Sequence, residues 1–531
     1  MRLRRRASSE RSPALMLVFE TILGLLLGAT VLSGIARRLN IPYPTLLALG
    51  GALVAFIPGA PRLDLPPELI LALFVAPVLL DAAFDASLRD LRDNWGPLLS
   101  LVVVAVALTT VAVAFAARQL FPELPWAAAI ALGALVAPPD AVAALAVLRQ
   151  VDPPHRIRKV LEGESLLNDA TALLLYKLAV GAIAAGSFSV EQSIPTFALV
   201  VGGSVAVGWL LAWPVGRVIE RIDDAPSSVI FQFVTTFAIW LLAERLGLSG
   251  VVTIVVFGLT AARRAGPNMP ARLRVHSFAI WDSATVVLNV LAFTLIGLQI
   301  RPILEALNGA ELLRYIGAAL VILFVVIAVR IVWLLTHHVL AQWKNRVFGL
   351  RLARPSMAPP TVKGALVVGW CGMRGIVTLA AAMALPADFP YRDFILLTAF
   401  VVVLGTLVIQ GLTLRPLLLL LRPPRDAIVA KEVSTAQQAT LKAMLAELER
   451  NDTAPAQRLR LEYNDALSRA QRGLDPRDTP DNALRRRLVA VSRRAIDELR
   501  TAGTIGDDAY QRVEEELDWM EMNSRSAEVR D

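Results

Sequence analysis

Residues 157–186 read IRKVLEGESLLNDATALLLYKLAVGAIAAG, and the polar part of that run, EGESLLNDAT at 162–171, sets the terms for the rest of the chain. The run has the length and apolar weight of a membrane-spanning helix. Yet Glu162, Glu164, Ser165, Asn168 and Asp169 fall within eight consecutive positions of it. Ionisable groups at bilayer depth are costly and mark functional sites by default. At about 100° per residue, Ser165 and Asp169 lie one turn apart on one side of the helix. Glu164 and Asn168 pair the same way, and all four sit within an arc of roughly 140°. Asp169 lies about 18 Å along the axis from Ile157, near the middle of a hydrocarbon core about 30 Å thick. A buried polar patch that merely glues helices together rarely needs this many charges.

The remainder of the sequence agrees with a membrane protein. Of 531 residues, 56% are hydrophobic, and the mean hydropathy is +0.57, which excludes an ordinary soluble globule. Cys371 is the one cysteine, so there is no disulfide framework and no thiolate metal cluster. The four histidines form no zinc-binding pattern. The net charge of +8 is uneven: from Pro423 onward there are 18 Lys and Arg against 21 Asp and Glu, a balance of −3, leaving +11 for the rest. That excess lies in loops, where it reports topology rather than nucleic-acid binding.

A basic arm (1–14) precedes thirteen apolar spans between 15 and 421: roughly 15–36, 44–58, 67–84, 97–121, 125–148, 157–186, 193–219, 228–246, 250–263, 276–300, 312–340, 363–386 and 392–421. Alternate loops carry nineteen Lys and Arg against five in the others, which orients the first set to the cytoplasm. An odd number of spans then puts the C-terminal tail inside and the arm outside, a placement that the arm's own arginines oppose. No cleavable signal peptide is expected. The tail, 422–531, shows helical periodicity in AQQATLKAMLAELER (436–450), NALRRRLVAVSRRAIDELR (482–500) and AYQRVEEELDWMEM (509–522) and is expected to be a small cytosolic helical domain.

Two spans are interrupted at mid-depth. The fifth contains Pro138, Pro139 and Asp140; the twelfth contains Gly369, Gly372, Arg374 and Gly375. Proline removes a helix donor and glycine loosens the helix. The backbone groups so released are tolerated only inside protein or lining a cavity. The two spans differ by seven in order, hence are oppositely directed, as corresponding helices of an inverted repeat would be. Interrupted helices in such positions point to a transporter site. Asp169, Asp140 and Asp81 offer hard carboxylate oxygens, and Ser165, Asn168 and the carbonyls around Val136–Pro139 add neutral ones, a donor set for a hard cation. A carboxylate on that face holds either a proton or a cation, and that competition alone yields exchange. Arg374 cannot stay buried alone; Glu164, approaching the same depth, is its expected partner. Asp140 is placed to favour the positive start of a half-helix, and Arg374 to offset a half-helix C-terminal end.

These residues resemble the bacterial monovalent cation–proton antiporter family, which includes sodium/proton antiporters and is related to animal sodium/proton exchangers. The resemblance covers 15–421 and rests on PVLLDAAF (77–84), APPDAVAALAVL (137–148), EGESLLNDATALLLY (162–176) and GMRGIVTLAAAMALP (372–386), in order. It implies an all-α integral membrane fold of about thirteen transmembrane helices in two inverted six-helix repeats, with helices 5 and 12 unwound and crossing. It also implies a homodimer in the cell membrane. By motif, Asn168 and Asp169 match the family's Asn-Asp pair, Asp169 being the cation and proton carrier; Ser165 matches a ligand serine, and Asp81 an acidic residue that in some members helps ligate the ion. Asp140 matches the aspartate of the unwound helix, and Glu164 with Arg374 the buried ion pair. An Asn-Asp pair implies electroneutral, one-for-one exchange. Pro139 stands where many members have threonine, so any contact there must come from its backbone carbonyl.

The expected function is therefore secondary active antiport of protons against Na+, with Li+ or K+ as further candidates, serving pH and cation homeostasis. No enzyme activity, cofactor or nucleic-acid partner is expected; the transported ions and the lipid bilayer are the partners. A K+/H+ antiporter with tail-regulated activity is the nearest alternative. A cation channel would also suit broken helices, but a buried carboxylate able to titrate argues for binding and release. An intramembrane aspartyl protease using Asp140 and Asp169 lacks the GxGD-type motif it would need.

Overall fold

The computed structural model describes residues 20, 23–39, 41–58, 66–148, 153–185, 190–268, 270–348, 361–422, 428–451 and 453–525; the basic arm lies outside them. Among the described residues the chain is helical, without strands. It divides into two compact units, Met1–Arg425 and Asp426–Asp531.

In the first unit, helices occupy the apolar stretches in order: α1 (23–39), α2 (Tyr43–Ala55), α3 (Pro67–Asp85), α4 (Trp95–Leu120), α5 (Trp126–Val136), α6 (Ala141–Leu148), α7 (His155–Ala185), α8 (Val190–Ile219), α9 (Ala225–Arg245), α10 (Gly250–Asn268), α11 (Ala271–Leu298), α12 (Gly309–Phe348), α13 (Val362–Trp370), α14 (Ile376–Met383) and α15 (Arg392–Leu421). Eight of the described helical spans are long and apolar enough to cross a membrane. Proline shapes several of them. Pro77 has no amide hydrogen to give, so the Leu73 carbonyl loses its α-helical partner, and α3 widens into a π-helical turn at Leu71–Val75. A second π-helical turn, Ser100–Ala105, lies in α4, where the Ser100 hydroxyl accepts a hydrogen bond from the Trp333 indole at 3.1 Å.

Helices meet most closely where glycine removes the side chain, as expected where apolar packing alone gives no preference between helix and lipid. A Cβ on Gly51 of α2 would lie 2.3 Å from the Thr294 carbonyl oxygen of α11, and one on Gly297 would lie 2.2 Å from that of Ala48. Gly133 seats α5 on α4 in the same way, against the Thr110 carbonyl. Backbone-to-backbone contact at these points fixes α2 on α11 and the half-helix α5 on α4.

The expected interruptions are present. α5 stops at Val136 and α6 starts at Ala141; α13 stops at Trp370 and α14 starts at Ile376. Two successive prolines withhold two donors, and α5 ends there although Ala137, before Pro138, is still in the α region at φ −71° and ψ −47°. Gly375 adopts extended backbone, φ −124° and ψ −159°, immediately before α14.

The second unit has four helices: α16 (Ile428–Glu449), α17 (Ala454–Gln471), α18 (Pro480–Thr501) and α19 (Asp507–Ser524). The sequence reading names three of these stretches; α17 carries too little apolar weight to stand out. Its start is nonetheless encoded, because the Thr453 hydroxyl caps the Ala456 amide, as the Thr479 hydroxyl caps Asn482 at the start of α18. Val489, Ile496 and Leu517 form the small core, and the guanidinium of Arg485 grips Glu462 at 2.7 and 3.0 Å.

Candidate functional site

The two interruptions meet. The amide of Asp140 donates to the Met373 carbonyl at 2.6 Å, so the break between α5 and α6 is hydrogen-bonded to the break between α13 and α14. Each break leaves one helix end with bare carbonyls and one with bare amides, and charged side chains answer both. Asp140 Oδ1 accepts the Val142 amide at 2.8 Å, capping the start of α6, where a carboxylate is favoured. The Arg374 guanidinium donates to the carbonyls of Val136 at 3.0 Å and Ala137 at 3.3 Å, at the end of α5, and also to that of Gly372. Its backbone amide is held by the Thr406 hydroxyl at 3.0 Å, so α15 anchors the unwound segment.

The expected Glu164–Arg374 pair is not formed. Glu164 is bound instead by Arg330 of α12, with Nη1 to Oε1 at 2.5 Å and Nη2 to Oε2 at 2.8 Å, and neither side chain is more than 3% exposed. Arg330 Nη2 also reaches the Val368 carbonyl in the last turn of α13 at 3.2 Å. The reason for the exchange of partners is geometric. Arg374 is spent on the carbonyls at the end of α5, whereas Arg330 presents its planar fork to both oxygens of Glu164, the bidentate arrangement a guanidinium favours. Gly372 makes room for it: a Cβ there would lie 2.5 Å from Arg330 Cδ. Each broken helix thus has its carbonyl end met by an arginine, α5 by Arg374 and α13 by Arg330. Arg330 escaped the sequence reading although its signal was available. It is a lone charge deep in the apolar run of α12, the very feature that singled out Asp169.

α7 brings the remaining groups. Asn168 is fully buried and its Nδ2 donates to the Pro139 carbonyl at 2.8 Å. That bond ties α7 to the α5–α6 break and occupies one lone pair of the oxygen expected to meet the ion, leaving the other. It also fixes which way the amide faces, so Asn168 Oδ1 remains a buried acceptor without a partner. Asp169 follows it, half-buried and within Coulombic reach of Asp140. Ser165 is half-buried one turn earlier on the same side. Asp81 is half-buried on α3, a neighbouring helix whose Leu79 and Leu80 share an apolar cluster with Leu166 of α7.

Gly375 gives this geometry a sharp test. A Cβ there would fall 1.8 Å from Asp140 Oδ2 and 2.6 Å from its Cγ. The aspartate side chain is short and cannot swing aside without leaving the Val142 amide. If Asp140 belongs to the ion site, Gly375→Ala is therefore expected to cut cation-driven proton flux by about 100-fold, the scale set by an ångström of misplacement at a working site. Proteoliposome flux at matched protein content measures it; wild-type flux would show that the carboxylate position does not matter.

An all-helical apolar body with two unwound helices crossing at its centre, and carboxylates gathered where they cross, defines a multi-span membrane protein of the broken-helix transporter class. The transmembrane sodium/hydrogen exchanger family matches residues 21–420, and the chain belongs to that family. Among curated relatives, a sodium, potassium, lithium and rubidium/H+ antiporter of Bacillus pumilus is 31% identical over 76% of this chain, the match spanning 61% of that protein's length. An uncharacterised Na+/H+ exchanger of Mycobacterium bovis is 31% identical over 95% of this chain and 96% of its own. The solved sodium proton antiporter MjNhaP1 of Methanocaldococcus jannaschii shares the fold, with a TM-score of 0.61 and 19% identity, over 77% of this chain and 99% of that one.

Proposed function

We propose that this chain exchanges protons for monovalent cations across the cell membrane, with Asp169 as the group that carries either one. The observation that supports this most is the charge balance at the crossing. Glu164 and Arg330 neutralise each other. Arg374, engaged by carbonyls, is the cation counted against the carboxylates of Asp140 and Asp169, which leaves one negative charge over. Burying an uncompensated charge is prohibitive. The surplus is met by one proton or by one monovalent cation, and a site that alternates between the two exchanges them one for one without moving net charge. Asn168 Oδ1, the Ser165 hydroxyl and the second lone pair of the Pro139 carbonyl are the neutral oxygens proposed to complete a cation shell around Asp169.

Na+ is the proposed cation, with Li+ and K+ as candidates, because Pro139 offers no hydroxyl to narrow the choice and the Bacillus pumilus relative is described by several alkali ions. The membrane unit is proposed to make thirteen crossings in two inverted six-helix repeats and to work as a homodimer, with the 422–531 tail in the cytoplasm. The excess of arginine and lysine in alternate loops supports that orientation.

Purified protein in liposomes preloaded with acid tests the proposal. Adding Na+, Li+ or K+ outside is expected to alkalinise the lumen, at a rate that does not change when the membrane potential is clamped from zero to a large negative value. Cation uptake without proton movement would mean a channel. Proton movement that scales with the potential would mean that exchange is not one for one.

A further inference from the structure

We propose that the arginine-rich ends of α8 and α10 form a binding site for the phosphate of an anionic phospholipid, built on Trp213. Two guanidiniums share that one indole. Arg264 of α10 stacks on it at 4.0 Å, and Arg217, in the last turn of α8, lies 5.6 Å from the ring centre. Trp209 packs edge-on against Trp213 at 6.5 Å and is half exposed, as are Trp213 and Leu210 between them.

A cation stacked on an aromatic face satisfies the π system but not its own in-plane N–H groups. Arg264 shows the consequence: its Nη1 is buried and has no hydrogen-bond partner. Among the described residues neither Arg217 nor Arg264 forms an ion pair, and Glu220, three residues beyond Arg217, is exposed and does not bridge to it. The last turn of a helix favours a cation, which accounts for Arg217. It does not account for a second guanidinium on the same ring with an orphaned buried donor. Two adjacent positive charges repel, and a phosphate accepting from both forks removes that cost.

The setting argues for a lipid. The Trp209–Leu210–Trp213 surface is an apolar and aromatic face running up to the guanidiniums, the arrangement of an interfacial anchor with acyl chains on one side and headgroup on the other. A second copy of the chain is a poor occupant, because a two-fold contact centred here would bring four guanidiniums together.

Native mass spectrometry of the wild-type protein in mixed phosphatidylglycerol and phosphatidylcholine micelles is the first test. Phosphatidylglycerol adducts are expected to persist at collision energies that strip phosphatidylcholine. Phosphatidylglycerol is also expected to raise the melting temperature in detergent by about 3–5 °C, phosphatidylcholine not to do so, and Arg217→Gln/Arg264→Gln to lose the shift while still transporting. Equal retention of the two lipids by the wild type would overturn the proposal, and that measurement needs no variant. So would an undiminished shift in the double variant, or the same shift from inorganic phosphate alone, which would make it a site for free anions.

Discussion

Asp169→Asn is expected to give a protein that folds, inserts and purifies as the wild type does but exchanges no ions, its cation-driven proton flux falling to that of protein-free liposomes. Two consequences of one substitution lead there. The amide keeps the shape of the carboxylate and its capacity to accept a hydrogen bond, so packing on α7 is undisturbed. It cannot take up a proton or balance a cation, so the surplus charge at the crossing disappears, leaving Glu164 paired with Arg330 and the single charge of Asp140 offset in number by that of Arg374. A site with no charge to compensate has no reason to bind a cation in a low-dielectric core. The melting temperature in detergent is expected to stay level or rise, since an unpaired buried carboxylate is itself destabilising. The decisive outcome against this reading is robust Na+-dependent proton movement by purified Asp169→Asn protein, which would place the carrier on Asp140 or Asp81. Addition of Na+ is expected to protect the wild type, but not the variant, against thermal unfolding; that second readout separates loss of binding from loss of motion.

Much of this was legible in the chain. The polar cluster in α7 stands out because charge inside an apolar run is rare, and both interruptions stand out because Pro138-Pro139 and Gly372–Gly375 cannot continue a helix. Two roles at the crossing also follow from sequence position alone: Asp140 at the start of a half-helix and Arg374 near the end of another, each answering a helix terminus. Partner choice was not legible. Depth along a helix can be counted in residues, but two arginines reach a similar depth, and counting gives neither the azimuth of α12 nor the distance between α7 and α13. Arg374 satisfied the depth criterion for Glu164 and was already committed to three carbonyls. The orphaned acceptor on Asn168 was likewise out of reach, because it depends on which amide atom meets Pro139.

The revised pairing changes which mutation should unfold the protein. Arg330→Ala removes both hydrogen bonds to a Glu164 carboxylate that is 1% exposed and leaves the Val368 carbonyl without its donor. Stranding a buried charge in this way costs about 3–5 kcal/mol. A loss of that size is expected to appear as a large drop in melting temperature and a poor yield of folded protein. Replacing both members with neutral groups, Glu164→Gln with Arg330→Ala, removes the desolvated charges together and is expected to recover much of the stability, a coupling that a double-mutant cycle reads directly. The same second substitution is expected to do nothing for Arg374→Ala, because the partners lost there are the carbonyls of Val136, Ala137 and Gly372 rather than Glu164. The two cycles therefore discriminate between the pairing seen here and the one expected from motif position. If Glu164→Gln rescues Arg374→Ala and leaves Arg330→Ala unimproved, the carboxylate belongs to Arg374. If it rescues Arg330→Ala alone, α12 is the element that neutralises α7, and Arg374 is left as the cation that closes the carbonyl end of α5.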